Sequence, residues 1–367
     1  MKGRFETQKS RKPIWKIILL VLLVLLIVAV LAIVILYHSV VGKVNQVQVA
    51  PIVYTTAPTE EVPEATLSTT AATEADAEPT EAPTEAHVKS SADYINFLVV
   101  GQAAREGESE RFADSAIVVT VNTYEKTLTL TSLLRDSFVK MPDYKGHTGG
   151  RIKLTTIYHL GYLYGDGIAG SMELMNQTLY DNFGIEIDHN IEIDFDAFIK
   201  AIDMLGPISI ELTEAEADYL NADDFWVYYD VQPGWTYLDG MGALSFARMR
   251  KAAGDNESDI IRTSRQRRLI EAILNQLRTK SVSDLTAIAN EVLPLISTSM
   301  STSQITESLL TLLPMLSELE IQAGGTCPAE SKGDMVDIYG DGMYHSVLRF
   351  DVATTKKAMR AITEGEE

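Results

Sequence analysis

Residues 94–134 read "YINFLVVGQAAREGESERFADSAIVVTVNTYEKTLTLTSLL". Three runs in it, "YINFLVVG" (94–101), "SAIVVTVN" (115–122) and "TLTLTSLL" (127–134), are rich in Val, Ile, Leu and Thr and bounded by turn residues, which predicts three successive strands. The last two are joined by a short turn around Tyr124 and Glu125. Between the first two lies a charged loop that carries Arg105, Arg111 and Asp114. Charge gathered at the mouth of a sheet is where α/β folds commonly place a site.

Downstream, the periodicity turns helical at 153–164 and 171–183. "NIEIDF" (190–195) and "ISIEL" (208–212) predict further strands, with a helix between them that ends at Gly206-Pro207. A long helix follows over 258–278, then two helices within 283–317 separated by Pro294. Strands around Leu319 and Val336 and a helix after Asp351 complete the pattern. The reading is a single α/β domain over 93–367, a central mixed sheet flanked by helices.

Upstream, "IWKIILLVLLVLLIVAVLAIVILY" (14–37) is long enough to cross the roughly 30 Å hydrocarbon core of a bilayer. Its apolar run is far longer than that of a cleaved signal peptide. Lys2, Arg4, Lys9, Arg11 and Lys12 precede it, so the 1–13 tail is expected in the cytoplasm and the remainder outside. Residues 38–92 are dominated by Thr, Ala, Glu and Pro, a composition that predicts a disordered tether. A net charge of -20 makes the chain a poor candidate for sequence-independent nucleic-acid binding, and the single Cys327 excludes an internal disulfide.

Against that acidity, "SFARMRKAAGDNESDIIRTSRQRR" (245–268) concentrates arginine. On a helix Asp259, Arg262 and Gln266 share one face, with Arg265 beside it. Arg248 and Arg250 project the same way if their stretch is extended. Two readings stand: a solvated face paired with local acids such as Asp255, Glu257 and Glu271, or a clamp for phosphate oxygens. A second cluster, Arg135-Asp136, follows directly on the third strand run, as a structural ion pair or as part of a site. No histidines pair at metal-ligand spacing, and His189 and His345 read as ordinary polar residues. Trp226, Trp235, Tyr228, Tyr229 and Tyr237 are expected to pack under a loop rather than to face sugars.

In order, "GQAAR" (101–105), "RFADS" (111–115), "SLLRDS" (132–137), "KLT" (153–155), "DHNIEIDF" (188–195), "ALSFARMR" (243–250) and "RTSRQ" (262–266) resemble the motif series of the LytR-CpsA-Psr family of cell-envelope proteins. The resemblance runs from about Asn96 to about Leu274, behind a single membrane helix. It implies a membrane-anchored phosphotransferase. Such an enzyme moves a glycopolymer from a polyprenyl-pyrophosphate lipid in the cytoplasmic membrane onto peptidoglycan. Carried over by position, Arg105, Arg135, Arg248, Arg250, Arg262 and Gln266 would cradle the pyrophosphate, with Lys153 and Arg265 flanking it. Asp114 would hold a Mg²⁺, and Asp136 would orient the arginines or help deprotonate the acceptor hydroxyl, so that Arg135, Asp136 and Arg262 form the catalytic group. The chain departs from the family pattern at three positions. Ala103 replaces the acid of G-x-D-x-R, Thr155 the Asn of K-L-N, and Phe246 the usual Tyr. The first weakens the expected metal site and leaves a non-catalytic lipid-pyrophosphate scaffold as the alternative reading.

Overall fold

The computed structural model describes residues 43–50, 93–102, 111–222, 229–249 and 259–366. The apolar run at 14–37, most of the expected tether, and Ala103, Arg105, Trp226, Tyr228 and Arg250 lie outside them. Among the described residues no helix is long and apolar enough to cross a membrane.

The three runs read from 94 to 134 are adjacent strands at the heart of one sheet. They are β2 (Tyr94–Gln102), β3 (Ala113–Asn122) and β4 (Thr127–Leu133), each antiparallel to the next. Thr123 to Lys126 turn the second into the third, with Asn122 Oδ1 accepting the main-chain N–H groups of Tyr124 and Glu125. Lys126 takes the left-handed backbone that closes the hairpin (φ 57°). The sheet widens on one side through β7 (His189–Asp194), β10 (Ile296–Thr298) and β1 (Asn45–Gln46), and on the other through β11 (Glu320–Cys327). β7 runs parallel to β2, and β11 parallel to β4. The sheet is therefore mixed, as the sequence predicts.

Two features differ from expectation. The first lies in the stretch 38–92, expected to be tether throughout. There Asn45–Gln46 pairs with Ser297–Thr298, and Asn45 Nδ2 donates to Ser297 Oγ at 2.9 Å, so ordered backbone begins before the Thr/Glu/Pro-rich segment. The second is the β8 strand (Ile208–Leu212), which leaves the main sheet and pairs with β9 (Gly234–Leu238) as a separate ribbon.

Both faces of the sheet are covered. On one lie α1 (Leu154–Tyr164), α2 (Gly167–Phe183) and α9 (Val352–Thr363), packed with Leu98, Val100 and Val118 of the sheet around the fully buried Tyr158 and Phe183. The α1–α2 crossing is close: a Cβ on Gly161 would stand 2.4 Å from the carbonyl oxygen of Gly170. On the other face lie α6 (Asp259–Arg278) and α8 (Thr302–Met315), against Phe97, Val121 and Leu130. A third cluster joins α6 to α3 (Phe195–Leu205), α5 (Gly240–Arg248) and the β8–β9 ribbon around Phe246 and Leu269.

Because β2, β4, β7 and β11 are mutually parallel and β3 opposes them, their C-terminal ends meet the start of β3 along one edge. Gln102, Asp114, Leu134, Asp194 and Cys327 all fall on that edge. The expected site lies there.

Candidate functional site: an arginine–aspartate cluster at the sheet edge

Asp114 and Ser115 open β3, and Arg135 and Asp136 follow β4, so the antiparallel pairing of these strands brings two distant sequence fragments side by side. Arg135 Nη1 lies 3.4 Å from Asp114 Oδ1, and its Nε 3.8 Å from Asp136 Oδ2. Lys153 Nζ donates to Asp136 Oδ1 at 2.8 Å. Lys153 is held there by the short β5–β6 ribbon, in which Phe138–Lys140 pairs with Arg151–Lys153, and by Thr155 N–H donating to the Arg135 carbonyl at 3.0 Å. Asp136 thus sits between two cations and is placed to orient them.

The helix α6 supplies the opposite wall. Arg262 is 4% exposed, and its Nη2 donates to the Asp114 main-chain carbonyl at 3.4 Å. One turn on, Gln266 Oε1 accepts from Ser115 Oγ at 3.1 Å, and its Nε2 donates to the Ala247 carbonyl at 3.4 Å. Arg267 fastens the helix to the sheet, donating to Ser132 Oγ at 2.8 Å and to the Gly325 carbonyl at 2.9 Å. Of the expected residues, Asp114, Arg135, Asp136, Lys153, Arg262 and Gln266 come together. They bring three cations against two carboxylates to the rim of the sheet, a net positive patch on an acidic chain.

Arg265 differs from its expected place beside the pyrophosphate. Only 3% exposed, it directs Nε to Glu216 Oε1 at 2.8 Å and Nη1 to the Met249 carbonyl at 3.1 Å. Arg268 Nη1 reaches the same Glu216 oxygen at 2.8 Å. Burial raises the Glu216 pKa, but hydrogen bonds from Arg268, the Thr213 N–H and Arg265 outweigh it and hold the carboxyl below its usual range. Arg265 is therefore an internal tie between α6 and α4 (Glu214–Asn221), which Thr213 and Glu216 cap reciprocally. The solvated-face reading does not hold for Arg262 and Arg265, which are buried, and one acid that Arg265 meets, Glu216, comes from forty-nine residues away; Asp255 and Glu257 lie outside the described residues. Arg248 ends a helix rather than lying in an extended stretch, and its guanidinium stacks on the Phe195 ring at 4.6 Å, exposed near Ala247.

Other contacts were not assigned from the motifs. Arg111, in the RFADS fragment, pairs with Glu192 of β7, whose other oxygen accepts from the fully buried Tyr158 hydroxyl at 2.6 Å. Burial raises the Glu192 pKa. In sequence, Glu192 sits on the polar face of an alternating strand; α1 covers that face through the buried Tyr158, so the acid is interior and requires partners. The C-terminal strands, silent in the motif search, position the Arg135 loop. The Cys327 carbonyl accepts the Leu134 N–H at 2.8 Å, and Leu348 of β13 (His345–Arg349) donates its N–H to the Asp136 carbonyl at 2.9 Å. Cys327 itself is wholly buried with its thiol pKa pushed up by that burial, consistent with an inert role.

Of the two carboxylates the described cluster holds, Asp114 is the one placed to take a divalent cation, since Asp136 is bridged by Arg135 and Lys153. Among the described residues no group of three His, Cys, Asp or Glu side chains converges on a point. Asp114 is 37% exposed at the side chain and opens onto the rim. Mg²⁺ commonly binds through one or two carboxylates and completes its shell from water and substrate phosphates. Asp114, open to the rim beside Arg135 and Arg262, fits that mode.

The family model described as the LytR_cpsA_psr family matches residues 64–350. The chain belongs to this family. Among its relatives, the polyisoprenyl-teichoic acid–peptidoglycan teichoic acid transferase TagU of Oceanobacillus iheyensis is 30% identical over 222 residues, covering 60% of this chain and 62% of that protein. Two solved structures share the fold. Protein gbs0355 from Streptococcus agalactiae has a TM-score of 0.57 at 24% identity over 73% of this chain and 88% of the other. TagT bound to LIIa-WTA has a TM-score of 0.55 at 22% identity over 76% of this chain and 94% of the other. The family assignment agrees with the resemblance carried by the seven motif fragments.

Proposed function

We propose that this LytR_cpsA_psr protein is a membrane-anchored phosphotransferase that moves a glycopolymer from a polyprenyl-pyrophosphate lipid onto peptidoglycan. The observation that carries the reading is the cation-rich rim itself. Arg135, Lys153 and Arg262 converge on Asp114 and Asp136 in a chain whose net charge is -20. Arginine forks match phosphate oxygens in bidentate geometry, and fixed cations stabilise the charge that spreads over a phosphoryl group in flight. The relative named as a teichoic acid transferase supports the substrate class.

The reaction balances simply. A sugar hydroxyl of peptidoglycan attacks the phosphorus that bears the glycopolymer, and a new P–O bond forms. The bond to the distal phosphate breaks, polyprenyl phosphate leaves, and the hydroxyl proton passes to solvent or to a nearby base. Arg135 and Arg262 would hold the pyrophosphate, with Arg105, Arg248, Arg250 and Gln266 completing the cradle. Lys153 would hold Asp136, which keeps Arg135 aimed. Arg265 would act indirectly, fixing the helix that presents Arg262. A Mg²⁺ on Asp114 would offset phosphate charge.

We further propose that the run at 14–37 anchors the chain in the cell membrane with its N-terminus in the cytoplasm and residues from about 93 outside, where donor lipid and wall meet. The test is incubation of the full chain in detergent micelles with a polyprenyl-pyrophosphate glycan donor and peptidoglycan. Polyprenyl phosphate release with label transferred to the wall supports the reading. Ala103, standing where the family carries an acid, favours one second reading, a lipid-pyrophosphate scaffold without turnover. Tight donor binding with no release at any Mg²⁺ concentration would favour it.

A further inference from the structure

Away from the rim, the ribbon formed by β8 and β9 is sharply two-sided. Ile208, Ile210, Leu212 and Leu238 are buried against α6 and its neighbours. The other face carries Trp235 and Tyr237, 73% and 74% exposed, whose cross-strand partners are Glu211 and Ser209. The expectation that these two aromatics pack under a loop is therefore overturned. Among the described residues of that set Tyr229 follows it, packing against that cluster with its hydroxyl on Asp239. Ring faces this open are costly to leave in water and mark contact sites. Being two residues apart on one strand, they stand roughly 6–7 Å apart, on the scale of one sugar ring.

Trp235 forms one wall of a groove of about 700 Å³ whose other wall is α6, through Glu271, Asn275 and Gln276. From Arg268 to Thr279 this wall runs roughly 16 Å along the helix. The groove offers amide donors and acceptors and carboxylates. Its one cation, Arg268, is already engaged by Glu216 and the Glu211 carbonyl. That lining disfavours a polyanion and suits a ligand with apolar C–H faces for stacking and hydroxyl and acetamido groups for hydrogen bonds. At 100° per residue this face of α6 is turned well away from Arg262 and Gln266. The groove is thus separate from the phosphate-binding rim.

We propose that the Trp235–Tyr237 ribbon and the facing side of α6 form a glycan-binding groove that takes an uncharged or weakly charged N-acetylhexosamine strand. Within the phosphotransfer reading it would hold the chain on wall polysaccharide while the rim acts on another part of it, raising the effective concentration of acceptor. The binding claim itself stands independently of that reading.

The test uses the full chain in detergent micelles and chitohexaose, an uncharged N-acetylglucosamine hexamer, followed by calorimetry and by saturation transfer to the sugar acetamido protons. Trp235→Ala should weaken binding about tenfold or more, the scale of losing one buried aromatic face, while Trp235→Phe retains most of it. Asp114→Asn and Arg262→Ala should leave chitohexaose affinity unchanged, so a failure of the phosphotransfer reading would not alter this outcome. With polymeric wall acceptor, Trp235→Ala should raise KM and spare kcat. No binding by the unsubstituted chain, equal binding by Trp235→Ala, or tighter binding of a glycerol-phosphate polymer than of chitohexaose would overturn the proposal.

Discussion

Removing the Glu216 carboxylate should be among the most damaging single changes available in the described fold. Its side chain is 5% exposed, Arg265 beside it 3%, and Arg268 shares the same oxygen. Glu216→Ala takes from the buried Arg265 guanidinium the carboxylate it meets at 2.8 Å and removes half of the reciprocal cap on α4. Breaking one side of a buried pair costs about 3–5 kcal/mol. For a domain of this size each kcal/mol moves the melting temperature by roughly 2–4 °C, so a drop of about 6–20 °C is expected. The assay is thermal unfolding of the full chain in micelles, followed by circular dichroism. Glu291→Gln, which breaks the exposed pair with Lys200, serves as the control and should leave the melting temperature unchanged. Glu216→Leu combined with Arg265→Met should recover most of the loss, because both charges then leave together. The pH dependence has a defined sign. The Glu216 pKa is depressed in the fold, so its contribution is present above the ordinary 4.5 and is lost as pH falls through the lower folded value. A Glu216→Ala protein that melts within about 2 °C of the unsubstituted chain would refute a structural role for Arg265.

Glu364 behaves oppositely. Burial first, then the neighbouring Glu366, raises its pKa to about 7, so its stabilising effect is complete below pH 4.5 and is lost as pH rises through about 7. Glu364→Gln should therefore raise the melting temperature at pH 8 and leave it unchanged at pH 4, as read by parallel melts. Gly161→Ala would drive a methyl into the Gly170 carbonyl at the α1–α2 crossing, and should destabilise by about 1–3 kcal/mol or more in urea titrations. Lys153→Met should release Asp136 and lower kcat for donor turnover while the urea midpoint stays near that of the unsubstituted chain, separating a positioning role from a structural one.

Much of this was legible in sequence where the physics is local. β2, β3 and β4 follow from β-branched runs and a short turn, and α6 from its periodicity. The antiparallel order of those strands is enough to carry Asp114 to Arg135. What stayed hidden depends on long-range pairing. Nothing in "EIQAGGTC" announces that β11 pairs with β4 and that its Cys327 carbonyl holds Leu134. Nor does "ISIEL" reveal that β8 leaves the main sheet and turns Trp235 and Tyr237 outward. Arg265 looked like Arg262 because three positions on a helix turn about 300°, which leaves the two only about 60° apart. Only the location of Glu216 decides which arginine faces the rim.

The central claim is that the Asp114–Arg135–Arg262 rim handles a pyrophosphate. Its most direct test is polyprenyl phosphate release from a polyprenyl-pyrophosphate glycan by the full chain, beside Arg262→Ala, Asp114→Asn and Trp235→Ala. The account predicts that the first two lower kcat by roughly 10²–10³-fold, the scale of losing one transition-state contact, while Trp235→Ala releases at the unsubstituted rate. Undiminished release by both Arg262→Ala and Asp114→Asn would contradict it.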